Sequence, residues 1–152
     1  MGQIAITSCT VDEFAQARNL DVLFAAYQRE SSIPGLGPCN VQLDKYRQLE
    51  AAGALHTFVA YRGPDLVGFL SMIVTVLPHY GALVATTESF FVAEDARAGG
   101  TGMKLLRRAE DHARGLGAVG LLVSAPHGGR LAKIMPRAGY QETNRVFFRG
   151  LQ

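Results

Sequence analysis

Between residues 88 and 106 the chain reads Glu-Ser-Phe-Phe-Val-Ala-Glu-Asp-Ala-Arg-Ala-Gly-Gly-Thr-Gly-Met-Lys-Leu-Leu. A carboxylate, an apolar strand end, a loop with three glycines and the start of a helix follow one another. Glycines leave backbone N–H groups unshielded, and a helix adds four unpaired donors and the positive end of its dipole. Together they form an anion site suited to phosphate or pyrophosphate, to which Arg97 can add a forked charge-assisted contact. Two familiar phosphate loops do not fit. A Walker loop needs Gly-Lys-Ser/Thr at its end, but Lys104 comes one position late and Leu105 follows it. A dinucleotide fingerprint needs a third glycine where Leu105 stands. Upstream, strand alternation puts Glu88, Phe90 and Val92 on one face. The flanking Phe90 and Phe91 would partly desolvate the Glu88 carboxylate and raise its pKa; an ion-pair partner or an exposed strand residue is the other reading.

The surrounding elements must hold that segment in place. Gly2–Thr7 suits a first strand, and Thr10 caps a helix that carries Phe14, Ala17, Leu20, Leu23, Phe24 and Tyr27 at helical spacing. Residues 31–38 hold two prolines and two glycines and form a loop. A second helix fits Val41–Ala52. Leu55–Tyr61 and Leu66–Leu77 are β-branched and aromatic runs around the turn Arg62-Gly63-Pro64-Asp65, and Leu83–Val92 follows after a second break, so the middle of the chain is an antiparallel meander. The helix after the glycines places Met103, Leu106, Ala109, Ala113 and Leu116 on one face. Its basic residues Lys104, Arg107, Arg108 and Arg114 form a solvated face or a second phosphate contact. Ala118–Ser124 reads as a strand buried on both sides, and strand, helix, strand forms a right-handed crossover. A short helix over Leu131–Ala138, disturbed by Pro136, and a hairpin of Tyr140–Thr143 with Arg145–Gly150 close the chain.

Composition narrows the function classes. The chain has 152 residues, 48% apolar and 18% charged, with a net charge of +2. This is one ordinary domain without a basic excess, so a general nucleic-acid or membrane-surface role is excluded. No apolar run is long enough to span a bilayer, and the first nine residues do not read as a signal peptide. Cys9 and Cys39 lack metal spacing and read as reduced, buried thiols of a cytoplasmic protein.

The pattern Arg-x-x-Gly-x-Gly, here Arg97, Gly100 and Gly102, resembles the acyl-CoA pyrophosphate loop of the GNAT superfamily of N-acetyltransferases. The context is similar too: a meander before, a helix and apolar strand after, and Gly139-Tyr140 where the family usually has Gly-Phe. Glu-x-Phe-Phe-Val before the loop looks like the polyamine and small-amine branches. The resemblance covers essentially the whole chain. It implies an α/β (α+β) single domain over residues 1–152, with a central mixed sheet of about seven strands, a splayed parallel pair and about four flanking helices.

It further implies transfer of an acetyl group from acetyl-CoA to the primary amine of a small molecule or protein by direct attack, without a metal. The pantetheine arm would lie between the strand ending at Val92 and that of Ala118–Ser124, held by the backbone of Phe91 and Val92, which also donates to the thioester carbonyl. Arg97, Ala98, Gly99, Gly100, Thr101, Gly102 and Met103 would hold the pyrophosphate. Glu88 stands where members often carry the base, and serves as base or amine anchor. Tyr27, Glu30 and Tyr80 would border the acceptor. Homodimers are common in the family. Two positions depart from its pattern. Met135 replaces the tyrosine that protonates the leaving thiolate, and His127-Gly128 replaces an asparagine that contacts pantetheine. His127 is a candidate substitute donor. The alternatives are an acyl-CoA-binding module without catalysis and an unrelated phosphate-binding domain.

Overall fold

The computed structural model describes residues 2–152. Strands β1 (Ile4–Cys9), β2 (Leu55–Arg62), β3 (Asp65–Leu77), β4 (Ala82–Val92) and β5 (Leu121–Leu122) form one sheet in the order β1-β2-β3-β4-β5. The first four are antiparallel in turn, and β5 joins β4 in parallel. Helices α1 (Val11–Ala15), α2 (Leu20–Ser31) and α3 (Leu43–Ala51) precede β2, α4 (Thr101–Gly115) links β4 to β5, and α5 (Arg130–Ile134) follows.

Alternation along the central strands builds two cores. Phe58, Ala60, Leu70, Met72 and Val92 meet Leu105, Leu106, Ala109 and Ala113 of α4 on one face. Val59, Phe69 and Phe91 meet Leu23 of α2 on the other, with Phe14, Phe24 and Tyr27 packed around Phe69 at ring separations of 5.4–5.6 Å. With both faces covered, β2 and β3 read as near-continuous apolar runs. Gly68 is required where these layers converge. A Cβ there would stand 3.2 Å from the Phe91 carbonyl and 3.3 Å from Leu105. Its absence lets α4 settle close to the β3–β4 pair.

Several elements differ from the sequence expectation. Among the described residues the sheet has five strands, with five helices around it, instead of about seven and four. The helix expected over residues 10–27 is two helices. Thr10 does cap the first: its Oγ1 accepts from the Glu13 amide (3.1 Å), and Glu13 accepts from the Thr10 amide (2.9 Å). The break falls at Asn19, whose side chain pairs with both backbone groups of Leu66, donating to the carbonyl (2.7 Å) and accepting from the amide (3.0 Å). The strand expected over residues 118–124 shrinks to Leu121–Leu122, with Leu122 exposed.

The closing hairpin is not formed. Gly139 takes φ +90°, and Tyr140 donates to Glu110 on α4 (2.6 Å), which commits the chain to the α4 face rather than to the free edge of β5. The tail then runs unpaired, with Phe147 89% exposed and Phe148 lying against Gly35. The expected helix over residues 131–138 ends at Ile134, and a 3₁₀ turn begins at Pro136. Cys39, expected to be buried, is exposed in the α2–α3 loop; Cys9 is half-buried, and burial beside Glu13 and Glu50 pushes its thiol up to about 12.

A histidine pair joins α4 to β2. The Gly53 carbonyl can only accept, so His56 Nε2 carries the proton that reaches it (3.0 Å). His56 Nδ1 therefore accepts from His112 Nε2 (3.0 Å). Burial first, then His56 and Arg108, lower the His112 pKa from its usual 6.5.

Two outcomes follow. Asn19→Ala strands the Leu66 amide and carbonyl, and should cost about 1–3 kcal/mol, read as a lower denaturant midpoint at unchanged slope. The unfolded chain binds a proton at His112 more readily than the folded one. Stability should therefore be level in pH above about 6.5 and fall as pH drops from there to the lower folded value. His112→Gln should flatten that slope in urea titrations; an unaltered slope would clear His112.

Candidate functional site

The site begins with a single extra residue. In the β3–β4 pair Ser71 faces Ser89 and Met72 faces Thr87, so Glu88 has no opposite number. A bulge of this kind bends its strand and re-aims side chains. Here it does both. Before it, Ala85 and Thr86 pair with Leu121 and Leu122 of β5. At the bulge the last tie is no longer backbone to backbone: the Ser124 amide donates to Thr87 Oγ1 (3.0 Å). Beyond it the two strands part. The bulge also overturns the expected alternation. Phe90 and Val92 belong to the α4 face, whereas Glu88 turns to the α2–α3 face with Ser89 and Phe91. It is exposed there, so flanking phenylalanines do not desolvate it.

The parted strands bound a cavity of about 470 Å³. Phe90, Phe91 and Val92 form its β4 wall, Tyr27, Glu30 and Ser31 its α2 wall, and Pro126, Gly129, Arg130, Leu131 and Ile134 the opposite side. Arg97, Gly100, Gly102 and Met103 close its mouth. The loop there follows a 3₁₀ turn over Glu94–Ala96. Gly99 and Gly100 adopt φ of +87° and +79°, a region that costs a residue with a Cβ, and no side chain caps the α4 N-terminus. The Arg97 and Gly100 amides bond within the loop, to Glu94 and Arg97. Among the described residues no acceptor reaches the amides of Ala98, Gly99, Thr101, Gly102 or Met103. Open space lies beside the Cα of Gly99 and Gly100. The donors an anion needs are thus free, and Ala98 and Gly99 present theirs from exposed residues.

Arg97 is already engaged. Its Nε donates to the Val92 carbonyl (2.9 Å), its Nη2 reaches both Glu30 oxygens (2.8 and 2.7 Å), and its guanidinium stands 5.5 Å from the Phe91 ring centre. It spans the cleft from the end of β4 to the last turn of α2.

Of the residues picked out in the sequence, Tyr27, Glu30, Phe91, Val92, Arg97, Gly100, Gly102 and Met103 line this one cavity. Ala98 and Gly99 are exposed on the same loop, and Thr101 is buried beneath it. Tyr80 is not brought in. It lies 76% exposed on the β3–β4 turn, edge-on to His79. His127 is exposed beside the cavity and is not part of its wall. Met135 packs in the α4-side core.

Glu88 stands outside the cavity wall, behind Tyr27, whose ring packs on Phe91 at 5.4 Å and whose pKa is raised by burial and then by Glu88. Sequence reasoning missed its partners. Tyr46 of α3 donates to Glu88 Oε1 (2.6 Å), and Ser71 donates to Oε2 (2.7 Å). It missed Arg130 in the cavity wall as well. The polar run Thr86-Thr87-Glu88-Ser89 inside an apolar strand was the available signal for an irregular site.

A meander that parts from its parallel neighbour over a glycine loop and helix recurs among known proteins. The model of the acetyltransferase (GNAT) family matches residues 20–132, and the chain belongs to that family. Among solved structures it is similar to an aminoglycoside acetyltransferase from an uncultured soil metagenomic sample, in complex with sisomicin (TM-score 0.75, 18% identity, 98% of this chain and 97% of that one). It is also similar to glucosamine-6-phosphate N-acetyltransferase from Arabidopsis thaliana (TM-score 0.74, 9% identity, 99% of each chain). A third is the ribosomal-protein-alanine N-acetyltransferase of Brucella melitensis biovar Abortus (TM-score 0.69, 17% identity, 97% of each chain). At these identities the likeness is one of fold. A search of curated protein sequences found no match. Among the described residues no cluster of three metal-ligating side chains occurs, and no helix is long and apolar enough to cross a membrane.

Proposed function

We propose that this chain is an N-acetyltransferase that moves an acetyl group from acetyl-CoA to a primary amine by direct attack. The observation that carries the reading is the set of free amides of Ala98, Gly99, Thr101, Gly102 and Met103 at the mouth of a cleft whose β4 wall has lost its β5 partner. Family members use acetyl-CoA, and this donor set and cavity fit it. Arg97, the loop amides and Arg130 would meet the phosphates, and the free edge of β4 at Phe91 and Val92 would pair with the extended arm. When bound, acetyl-CoA supplies an activated acetyl carbon. The amine nitrogen bonds to that carbon as its bond to sulfur breaks, and of the two protons an ammonium must lose, one ends on the thiolate and one in solvent.

The remaining steps fall to the protein. Glu88 takes up the ammonium at the α2–α3 side and accepts its first proton. A backbone N–H at the β4 end stabilises the oxygen that becomes negative during attack. Met135, in the family's tyrosine position, has no proton to give and is buried, so the thiolate is protonated through solvent in the open cleft. That same observation favours a second reading, an acyl-CoA-binding module without catalysis. The acceptor is a small-molecule or protein amine. A cytoplasmic setting and a homodimer complete the proposal, with Tyr27 and Glu30 at the border of the acceptor space.

Calorimetry with acetyl-CoA tests the cleft, and its silence at millimolar concentration would dispose of both readings. Thiol release over a panel of amines then separates them: binding without release from any amine leaves the module. Glu88→Gln should lower turnover by about a hundred-fold with acetyl-CoA affinity nearly intact. Gly100→Val should abolish acetyl-CoA binding, because a β-branched residue at φ +79° costs about 1–3 kcal/mol and distorts the loop.

The Arg97–Glu30 pair yields a separate outcome. Arg97 fills one lone pair of the Val92 carbonyl and leaves the other for a bound arm, while Glu30 competes with a phosphate for the same guanidinium. Glu30→Gln should therefore tighten acetyl-CoA binding about two- to five-fold, as the loss of one partly exposed ion pair allows. Weaker binding would show instead that Glu30 holds Arg97 ready for the phosphates.

A further inference from the structure

We propose that Tyr46 is a positioning residue for the acceptor half of the site: it holds the Glu88 carboxylate in one orientation, with its remaining lone pairs open to an arriving ammonium ion. The inference rests on the acetyltransferase reading for its chemistry and on geometry for its substance.

Hydrogen positions in the cluster follow from its chemistry. An ionised carboxylate only accepts, so Tyr46 donates to Oε1 (2.6 Å) and Ser71 to Oε2 (2.7 Å). Ser71 has one hydrogen and has spent it, so the Ser71–Ser89 contact (2.7 Å) is a donation from Ser89. The chain of bonds thus runs in one direction, Ser89 to Ser71 to Glu88, and Tyr46 meets it from the other side. Two of about four acceptor positions on the carboxylate are filled. The others are open, since Glu88 is exposed. Two N–H positions of an ammonium ion can take them.

The hold is rigid because its parts sit on anchored elements. Ser71 is buried in β3. Tyr46 lies one residue from Arg47, which bonds Asp12 of α1 (2.8 Å), and near Glu50, which accepts from the Val11 amide (2.8 Å). These ties dock α3 on α1. The titratable groups around the carboxylate are Tyr46 of α3, Tyr27 of α2 and Cys39 of the loop between them. Burial, then Glu88, pushes the Tyr46 phenol upward, which keeps its proton in place as a donor. Without Tyr46 the long Glu88 side chain would regain its rotamers, and orientation would have to be established anew at each turnover.

Tyr46→Phe keeps the ring and removes the donor. The expected result is a loss of about ten-fold in kcat/KM for the amine, with acetyl-CoA affinity and melting temperature unchanged. Ser71→Ala should lower kcat/KM in the same way. A second readout is independent of turnover: carbon-13 relaxation at the Glu88 carboxyl, measured in both proteins at one pH, should report faster side-chain motion in Tyr46→Phe. Unchanged motion would overturn the proposal, as would a rate loss accompanied by equal losses in acetyl-CoA affinity and melting temperature. If the unaltered protein releases no thiol with any amine, the acetyltransferase reading fails. The carboxyl relaxation still decides whether Tyr46 holds Glu88.

Discussion

One unpaired residue in a strand sets the geometry on both faces of this sheet. Where Glu88 has no partner on β3, the bonding of β4 to β5 stops, so the sheet opens at its parallel seam. The opening leaves the β4 backbone from Phe90 to Val92 without a β5 partner beside the glycine loop. The same change of phase sends Glu88 to the α2–α3 face, while Phe90 and Val92 keep to the α4 face. Under the proposed reading, one irregularity supplies both the slot for the thioester arm and the carboxylate for the amine. With an even count, Glu88 would project into the α4-side core and β4 could pair onward with the chain beyond Ser124.

What was legible in the sequence was local. The glycine loop and α4 could be read because φ-tolerant residues and a helical apolar period are written in adjacent positions. The meander could be read because each strand is bounded by turn residues. The bulge could not: Thr87-Glu88-Ser89 is compatible with either phase, and the choice is made by Ser71 and Ser89 across the ladder. The break in the first helix could not either, since the apolar spacing runs through it and the partner of Asn19 is Leu66, 47 residues away. The closing hairpin was misread for a related reason. Alternation in residues 140–150 describes a strand but names no edge for it, and Tyr140 finds Glu110 first.

Charge in the cleft links the two halves of the site. Arg97 lies in the glycine loop, and Glu30 lies in the last turn of α2, directly before the loop that leads to α3 and Tyr46. Under the proposed reading, their pair ties the phosphate end of the cleft to the acceptor wall. An anion that draws Arg97 toward the loop amides must loosen Glu30, and by linkage an acceptor that draws Glu30 away must free Arg97. Each half of the site then favours occupancy of the other without a separate signalling element.

Proton traffic imposes the last constraint. In the family's usual arrangement a tyrosine near α5 returns a proton to the thiolate; here Met135 fills that place with a thioether locked in the α4-side core. Of the phenols nearby, Tyr140 on the α4 side donates to Glu110, and Tyr27 lines the α2 wall of the cleft. Tyr46 is committed to Glu88 and pushed upward by burial and that carboxylate, and Tyr27 is raised for the same two reasons. Neither is disposed to release a proton toward the cleft. A coenzyme A thiolate is a weak base, however, and can leave unprotonated more readily than an amide nitrogen could. The group that most needs a positioned partner is the ammonium, which must become an amine before it can attack at all. Under the proposed reading the ordered polar side chains are placed accordingly: Tyr46, Ser71 and Ser89 surround Glu88 on the acceptor side, and Leu131, Ile134 and Leu106 form an apolar wall on the thiolate side.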